Sequence, residues 1–328
     1  MTFSPHFLRT NSLGNLPVSE FSKIALAIGT FDGLHIGHQH VMRTLIQEAT
    51  RLNAASVVLT FSPHPRAIIH GTAHGPELLV STDRRADLCQ ELGMNAIVTE
   101  PFTQELAAMA PDSFMRYLFQ NSQIDVACIC VGSNWRFGAK AVGDVSFLQH
   151  YSVERNFVFH AVDEVKLNGT TVSSTAIREL IANGDLELAR QMLGRAPSLE
   201  GVVVHGNHIA TEKLEHPTAN LQVLYGVIPP NGVYSAFVKI SNSEEHIPAV
   251  VNIGFSPTFG GTERRVEVHL LQSFRYDLYG TFLRLDLCQF LRKEMRFPDV
   301  ESLKKQIEFD VKNAVSSLTA KKDGVLHE

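Results

Sequence analysis

The chain has 328 residues, of which 44% are hydrophobic and 19% charged. That length accommodates about two domains at ~100–200 residues each, with sizeable cores, and excludes disorder, collagen or coiled coil as the dominant state. Lys plus Arg number 29 against 34 Asp plus Glu, a net charge of −5, so the basic excess of a nucleic-acid-backbone binder is missing.

The start, MTFSPHFLRTNSLG, has no apolar h-region of a signal peptide. The four cysteines, Cys89, Cys128, Cys130 and Cys288, are expected as free thiols in a reducing cytoplasm. Cys128 and Cys130 read as alternate residues on one strand face rather than as a metal site, which would want C-x-x-C pairs or a nearby His pair. No apolar run approaches the ~20 residues of a membrane span. Neither a nucleic acid nor a membrane is expected as a partner, and nothing in the sequence fixes an oligomeric state.

The first half alternates short apolar runs with helical patterns. IALAIGTF (24–31) reads as a strand, HQHVMRTLIQEATRLN (38–53) as a helix and ASVVLTF (55–61) as the next strand. A helix over 83–92, a strand over 95–100, a helix opened by Pro111, and strands over 126–132 and 156–162 complete the series. Such alternation implies a parallel sheet with right-handed crossovers, which binds ligands beyond the carboxyl ends of its strands.

The grammar changes after about residue 186. Two short helices over 175–193 break at Asn183–Gly184, and then EGVVVHG, GVYSAFVKI, PAVVNIGF, RRVEVHLL and FLRLDLCQFL follow without helices between them. This is the pattern of an antiparallel barrel or sandwich, closed by a helix over 300–318. The spacing predicts one domain over 1–186 and a second over 187–328.

Between the first strand and helix lies Gly29-Thr30-Phe31-Asp32-Gly33-Leu34-His35-Ile36-Gly37-His38. Its glycines let backbone amides approach a phosphate, and the following helix N-terminus adds partial positive charge. His35 and His38 flank a glycine and can face one ligand; a tight turn with surface histidines is the alternative. Further on, Thr171-Val172-Ser173-Ser174-Thr175-Ala176-Ile177-Arg178 opens a helix. Its hydroxyls can cap that helix or bind an anion, and Arg178 can reach phosphate oxygens. Together the two segments resemble the nucleotidyltransferase superfamily of HIGH and ISSTxxR signatures, whose Rossmann-like α/β enzymes join a nucleotide α-phosphate to an acceptor and release pyrophosphate.

Two more segments follow expected strands: Thr60-Phe61-Ser62-Pro63-His64-Pro65-Arg66, and Val131-Gly132-Ser133-Asn134-Trp135-Arg136-Phe137-Gly138 with Gly143-Asp144 after it. Phe61, Trp135 and Phe137 offer apolar faces to a flat ring, or else are core aromatics. With these segments the chain resembles the bacterial riboflavin kinase/FMN adenylyltransferase (FAD synthetase) family over nearly its whole length, in the family's order.

The resemblance implies a first module that transfers AMP from ATP to FMN. His35, His38, Gly29, Phe31, Asp32, Gly33, Ser173, Ser174, Thr175 and Arg178 would serve ATP. Phe61, Pro63, Asn134, Trp135 and Phe137 would serve the flavin substrate. Ala176 departs from the family, which often has Arg there.

In the second module Pro217-Thr218-Ala219-Asn220 reads either as a turn with local hydrogen bonds or as a pair of oxygen ligands. Asn252-Ile253-Gly254, Pro257-Thr258-Phe259, Val266-Glu267-Val268-His269-Leu270 and Leu278-Tyr279-Gly280 resemble the riboflavin kinase module. That resemblance implies a small antiparallel β-barrel with a C-terminal helix, Mg²⁺ on Thr218 and Asn220, and Glu267 as the base for the riboflavin 5′-hydroxyl. The segment Ala210–His216 departs from the family's glycine-rich G-R-x-L-G-F, and backbone close to ADP tolerates Cβ atoms poorly. The leading expectation is an enzyme with both activities, using riboflavin, FMN and ATP and producing FAD. The alternative is a monofunctional FMN adenylyltransferase with a degenerate kinase module. A flavin-binding regulator fits less well with intact H-I-G-H and S-S-T-A-I-R segments.

Overall fold

The computed structural model describes residues 6–71, 75–121, 123–205, 218–241, 243, 245–255, 264–272 and 278–325. The chain divides into two compact units, Met1–Ser174 and Thr175–Glu328. The division falls within the first turn of a helix, ahead of the change of pattern near residue 186.

The first unit holds strands β1 (Leu8–Thr10), β2 (Lys23–Ile28), β3 (Ala55–Ser62), β4 (Ala96–Pro101), β5 (Asp125–Gly132) and β6 (Val158–Val162). Its helices are α1 (Val18–Phe21), α2 (Ile36–Leu52), α3 (Pro65–Ile69), α4 (Thr82–Glu91), α5 (Gln104–Ala108), α6 (Pro111–Leu118) and α7 (Val145–Arg155). A two-stranded hairpin, β7 (Lys166–Leu167) with β8 (Thr170–Thr171), follows. The sheet order is β1-β4-β3-β2-β5-β6 with every pairing parallel. The chain moves outward from β2 through β3 and β4, then returns to the other side of β2 as β5. The β2–β5 crevice is therefore the switch point where such a sheet binds ligands, and the loops after β2 and β5 carry two of the motif segments, Gly29–His38 and Val131–Gly138.

Strand β2 is buried on both faces with unequal side chains. Ile24, Leu26 and Ile28 join one core cluster, while Ala25 and Ala27 lie in the other beneath Val41, Met42, Leu45 and Ala49 of α2. The alanines leave room for the helix to sit close to the sheet, as close packing of the two layers requires. Helix α2 starts two residues earlier than its sequence pattern predicts, because His35 caps it. Strand β1 and helices α1, α3 and α5 are three to five residues long, too short to leave a periodic signature.

The second unit begins with the rest of α8 (Ser174–Asn183) and with α9 (Leu186–Leu193). Gly184 between them takes φ +86, a left-handed conformation that glycine adopts freely. Six strands then form a closed barrel: β9 (Ser198–Val204), β10 (Thr218–Tyr225), β11 (Gly232–Ile240), β12 (His246–Phe255), β13 (Arg264–Leu270) and β14 (Phe282–Arg292), in the order β10-β13-β12-β11-β14-β9. All pairings are antiparallel, and β9 closes the ring by pairing with both β10 and β14. Period-two burial fixes the inside: Ile247, Ala249, Val251 and Ile253 on β12 and Val266 and Val268 on β13 are buried. Helix α10 (Val300–Val325) buries Ala314 and Leu318. It is tied to β14 by Arg292, whose Nη2 and Nε donate to Asp310 at 2.7 and 2.9 Å.

Candidate active sites

The turn after β2 is held in an unusual backbone conformation. Phe31, Gly33 and Leu34 have φ values of +46, +75 and +41. A Cβ on Gly33 would lie 2.5 Å from Leu79 Cδ1, so this position requires glycine on both conformational and steric grounds. Bonds from elsewhere in the unit pin the turn. The Asp32 carboxylate, 1% exposed, accepts the Leu79 N–H at 2.9 Å. The Asp32 carbonyl accepts the Ser174 hydroxyl at 2.9 Å.

The turn delivers two imidazoles to one place. His35 Nδ1 accepts the His38 backbone N–H at 3.3 Å and caps α2. The two rings stack with centroids 3.5 Å apart and planes 20° apart, and Phe31 meets the His38 ring edge-on at 5.3 Å. A Cβ on Gly37 would lie 3.2 Å from the His35 ring, which is how glycine between the histidines lets the ring fold over the helix start. The remaining first-turn amides and the helix dipole make this N-terminus suited to an anion. Ser173 and Ser174 are half-buried in the same unit. Thr175, exposed, and Arg178, half-buried, belong to the second unit, on the first turns of α8.

The aromatic candidates separate by burial. Phe61 and Phe137 lie in the main core cluster, Phe61 edge-on to Phe102 at 5.5 Å. Trp135 is half-buried and stacks on Phe137 with centroids 4.7 Å apart and planes 13° apart. Its ring is thus the accessible member of that pair. Pro63 follows a cis peptide bond at the end of β3. Asn134 is exposed and its Nδ2 donates to Glu164 at 2.6 Å. Glu164 carries no motif signal; only the chain's return through β6 brings it there.

In the second unit Thr218 and Asn220 stand on strand β10 rather than in a turn. Asn220 lies opposite Glu267 of β13, and Glu267 lies opposite Asn252 of β12. Thr218 likewise lies opposite His269. Val266 and Val268 point into the barrel, so Glu267 and His269, which alternate with them, are on its outer face. Asn252, Glu267 and Asn220 thus form a polar row across three adjacent strands, all half-buried. Sequence reading placed Asn252 only within a motif; strand register gives it its neighbours. The exposed ring of Tyr279 stacks on His205 at the end of β9, centroids 3.8 Å apart. Pro217, Ala210–His216 and Pro257–Phe259 fall outside the described residues.

Among the described residues no group of three or more His, Cys, Asp and Glu is placed to hold a metal ion, and no helix is long and apolar enough to cross a membrane. The side-chain oxygens of Thr218 and Asn220, two apart on one strand face beside the Glu267 carboxylate, are hard donors of the kind Mg²⁺ takes.

The FAD synthetase family model matches residues 18–176, and the riboflavin kinase family model matches residues 193–318. The chain is 34% identical over 290 residues to the bifunctional riboflavin kinase/FMN adenylyltransferase of Haemophilus influenzae, covering 88% of this chain and 92% of the relative. The protein of the same name from Pseudomonas fluorescens is 36% identical, covering 87% and 89%. That from Escherichia coli K12 is 32% identical, covering 90% and 93%. A solved structure described as a macrolide-efflux protein from Streptococcus pneumoniae superposes with a TM-score of 0.78 at 25% identity, covering 93% of this chain and 97% of that one.

Proposed function

The chain belongs to the bifunctional riboflavin kinase/FMN adenylyltransferase family, and on that premise we propose which of its residues carry each activity. The enzyme phosphorylates riboflavin to FMN with ATP and transfers AMP from ATP to FMN, giving FAD and pyrophosphate. A match to the riboflavin kinase model and relatives that are bifunctional by name favour this reading over an adenylyltransferase with a degenerate kinase module.

In adenylyl transfer an FMN phosphate oxygen attacks the α-phosphorus of ATP. The new P–O bond forms as the bond to the β-phosphate bridging oxygen breaks, and pyrophosphate leaves with that electron pair. Negative charge grows on the α-phosphate oxygens and the leaving group, so catalysis rests on positioning and charge stabilisation. We assign ATP to the Gly29, Phe31, Asp32 and Gly33 turn, to His35 and His38, and to Ser173, Ser174, Thr175 and Arg178. The stacked histidines at the α2 N-terminus carry this reading. The flavin substrate is assigned to Asn134 and the outer face of Trp135, with Phe61, Pro63 and Phe137 supporting that wall.

For riboflavin phosphorylation, Glu267 is assigned as the base that takes the proton of the 5′-hydroxyl while its oxygen attacks the γ-phosphorus and ADP leaves. Thr218 and Asn220 would hold Mg²⁺, which offsets phosphate charge when bound. The cross-strand pairing of Asn220 with Glu267 supports this set. We place the enzyme in the cytoplasm, where its four free thiols stay reduced.

Product analysis of two reactions tests the whole reading: riboflavin with Mg-ATP, and FMN with Mg-ATP. The first yields FMN and then FAD; the second yields FAD and pyrophosphate. FAD from supplied FMN, with no FMN from riboflavin at millimolar Mg-ATP, would reinstate the monofunctional alternative.

A further inference from the structure

Helix α4 carries a charge into the core of the first unit. Arg85 is 3% exposed, on the same helix face as the buried Ala86, Leu88 and Cys89. A guanidinium is rarely buried unless it is paired. Its Nη1 donates to Thr60 Oγ1 at 3.0 Å, and its Nε has no hydrogen-bond partner. Thr60, 0% exposed on β3, passes the interaction on: its hydroxyl donates to the Thr30 carbonyl at 3.0 Å. Thr30 opens the turn that ends at His35. Within that turn lies the buried Asp32 carboxylate; burial disfavours the Arg85 cation, and the Asp32 charge favours it. Three features thus converge on the six residues of this turn: a buried cation, a hydroxyl that both accepts and donates, and a buried anion.

The turn needs such bracing. Phe31 and Leu34 are non-glycine residues in the left-handed region, a conformation that persists only where surrounding structure over-determines it. A hydrophobic residue at 85 would leave the Thr60 hydroxyl without its donor. We propose that Arg85 is a positioning residue of the adenylyl-transfer site, acting through Thr60 and beside Asp32 to fix the turn from Thr30 to His35. The proposal rests on the assignment of His35 and His38 to ATP. Arg85 touches no substrate; its effect is the orientation of the stacked histidines and of the turn's amides.

The test uses the full chain, in which riboflavin phosphorylation reports on the integrity of the same molecules. Arg85→Met, Arg85→Lys and Thr60→Val are compared with His38→Ala. Displacing catalytic groups by about 1 Å costs on the order of 10²-fold in rate, so Arg85→Met lowers kcat for FAD formation on that scale with little change in KM for FMN. Arg85→Lys restores part of the loss. Riboflavin phosphorylation stays within about twofold. In the Thr60→Val background Arg85→Met costs little more, since both act through one contact. Normal FAD formation by Arg85→Met, beside a loss in His38→Ala, overturns the role of Arg85 and leaves the histidine assignment standing. Normal turnover in His38→Ala overturns the histidine assignment instead. Equal loss of both activities, equal effects of Lys and Met, or full additivity with Thr60→Val each assigns Arg85 to general folding and refutes the proposal.

Discussion

Asn220 and Glu267 stand directly opposite each other on neighbouring antiparallel strands, on the outer face of the barrel. Opposed residues in such a pair have Cβ atoms about 4.5–5.5 Å apart, close enough for a ligand oxygen and a carboxylate to serve one substrate. General-base help is typically worth ~10²–10⁴-fold. Glu267→Gln therefore lowers riboflavin phosphorylation by at least ~10²-fold and leaves FAD formation from supplied FMN nearly unchanged. Steady-state assays of the two half-reactions check this, and near-normal phosphorylation removes Glu267 from the mechanism.

His38→Ala separates the other half. His35 also caps α2 through its ring, so its removal mixes stability with chemistry, whereas the His38 side chain lies outside that cap. Removing one preorganised donor to a developing oxyanion typically costs about 10²–10³-fold, and a loss of that size is expected in FAD formation, with riboflavin phosphorylation and the melting temperature preserved.

The fragment 1–186 is expected to fold alone. It keeps α8 whole, ends just past the Gly184 break, and contains the entire parallel sheet and both its core clusters. A single cooperative thermal transition is the expected result, with measurable FAD formation. A fragment that lacks any cooperative transition argues against the boundary.

Thiol labelling reports on the same core. Burial pushes the Cys89 thiol up to about 12. Cys130 is raised by its contact with Cys128, Sγ to Sγ 3.8 Å, and by burial. The thiolate is the reactive form, and only Cys288 is more than marginally exposed. Peptide mapping after brief alkylation near neutral pH finds Cys288 modified first. Modification of Cys89 at a comparable rate would mean that α4 opens readily.

Much of this protein is written in local pattern. Alternating strands and helices up to about residue 186, and helix-free strands beyond the helices that end at 193, are the marks of the two architectures, because burial on both faces of a parallel sheet and on one face of a barrel wall leaves different periods in the sequence. The H-I-G-H and S-S-T-A-I-R segments were legible because glycine, capping hydroxyls and ring-bearing residues must stand at fixed spacing around a helix start. Strand β10 was harder to read: Pro217-Thr218-Ala219-Asn220 has turn chemistry, and it is pairing with β13, joined by β9 from Asn220 onward, that holds Thr218–Asn220 extended.

Tertiary structure alone decided what depends on partners distant in sequence. Phe61 and Phe137 look the same as Trp135 in a motif, yet the first two fall into the core and the tryptophan ring is left at its edge. Barrel closure set Asn252 in line with Glu267 and Asn220, residues 15 to 47 positions away from it or each other by number, because register is a property of strand pairs. Arg85 reads in sequence as one charge among several on a polar helix. Packing of α4 onto the sheet buries that charge and aims it at Thr60, 25 residues away, since a helix shows its inward face only when something is there to cover it.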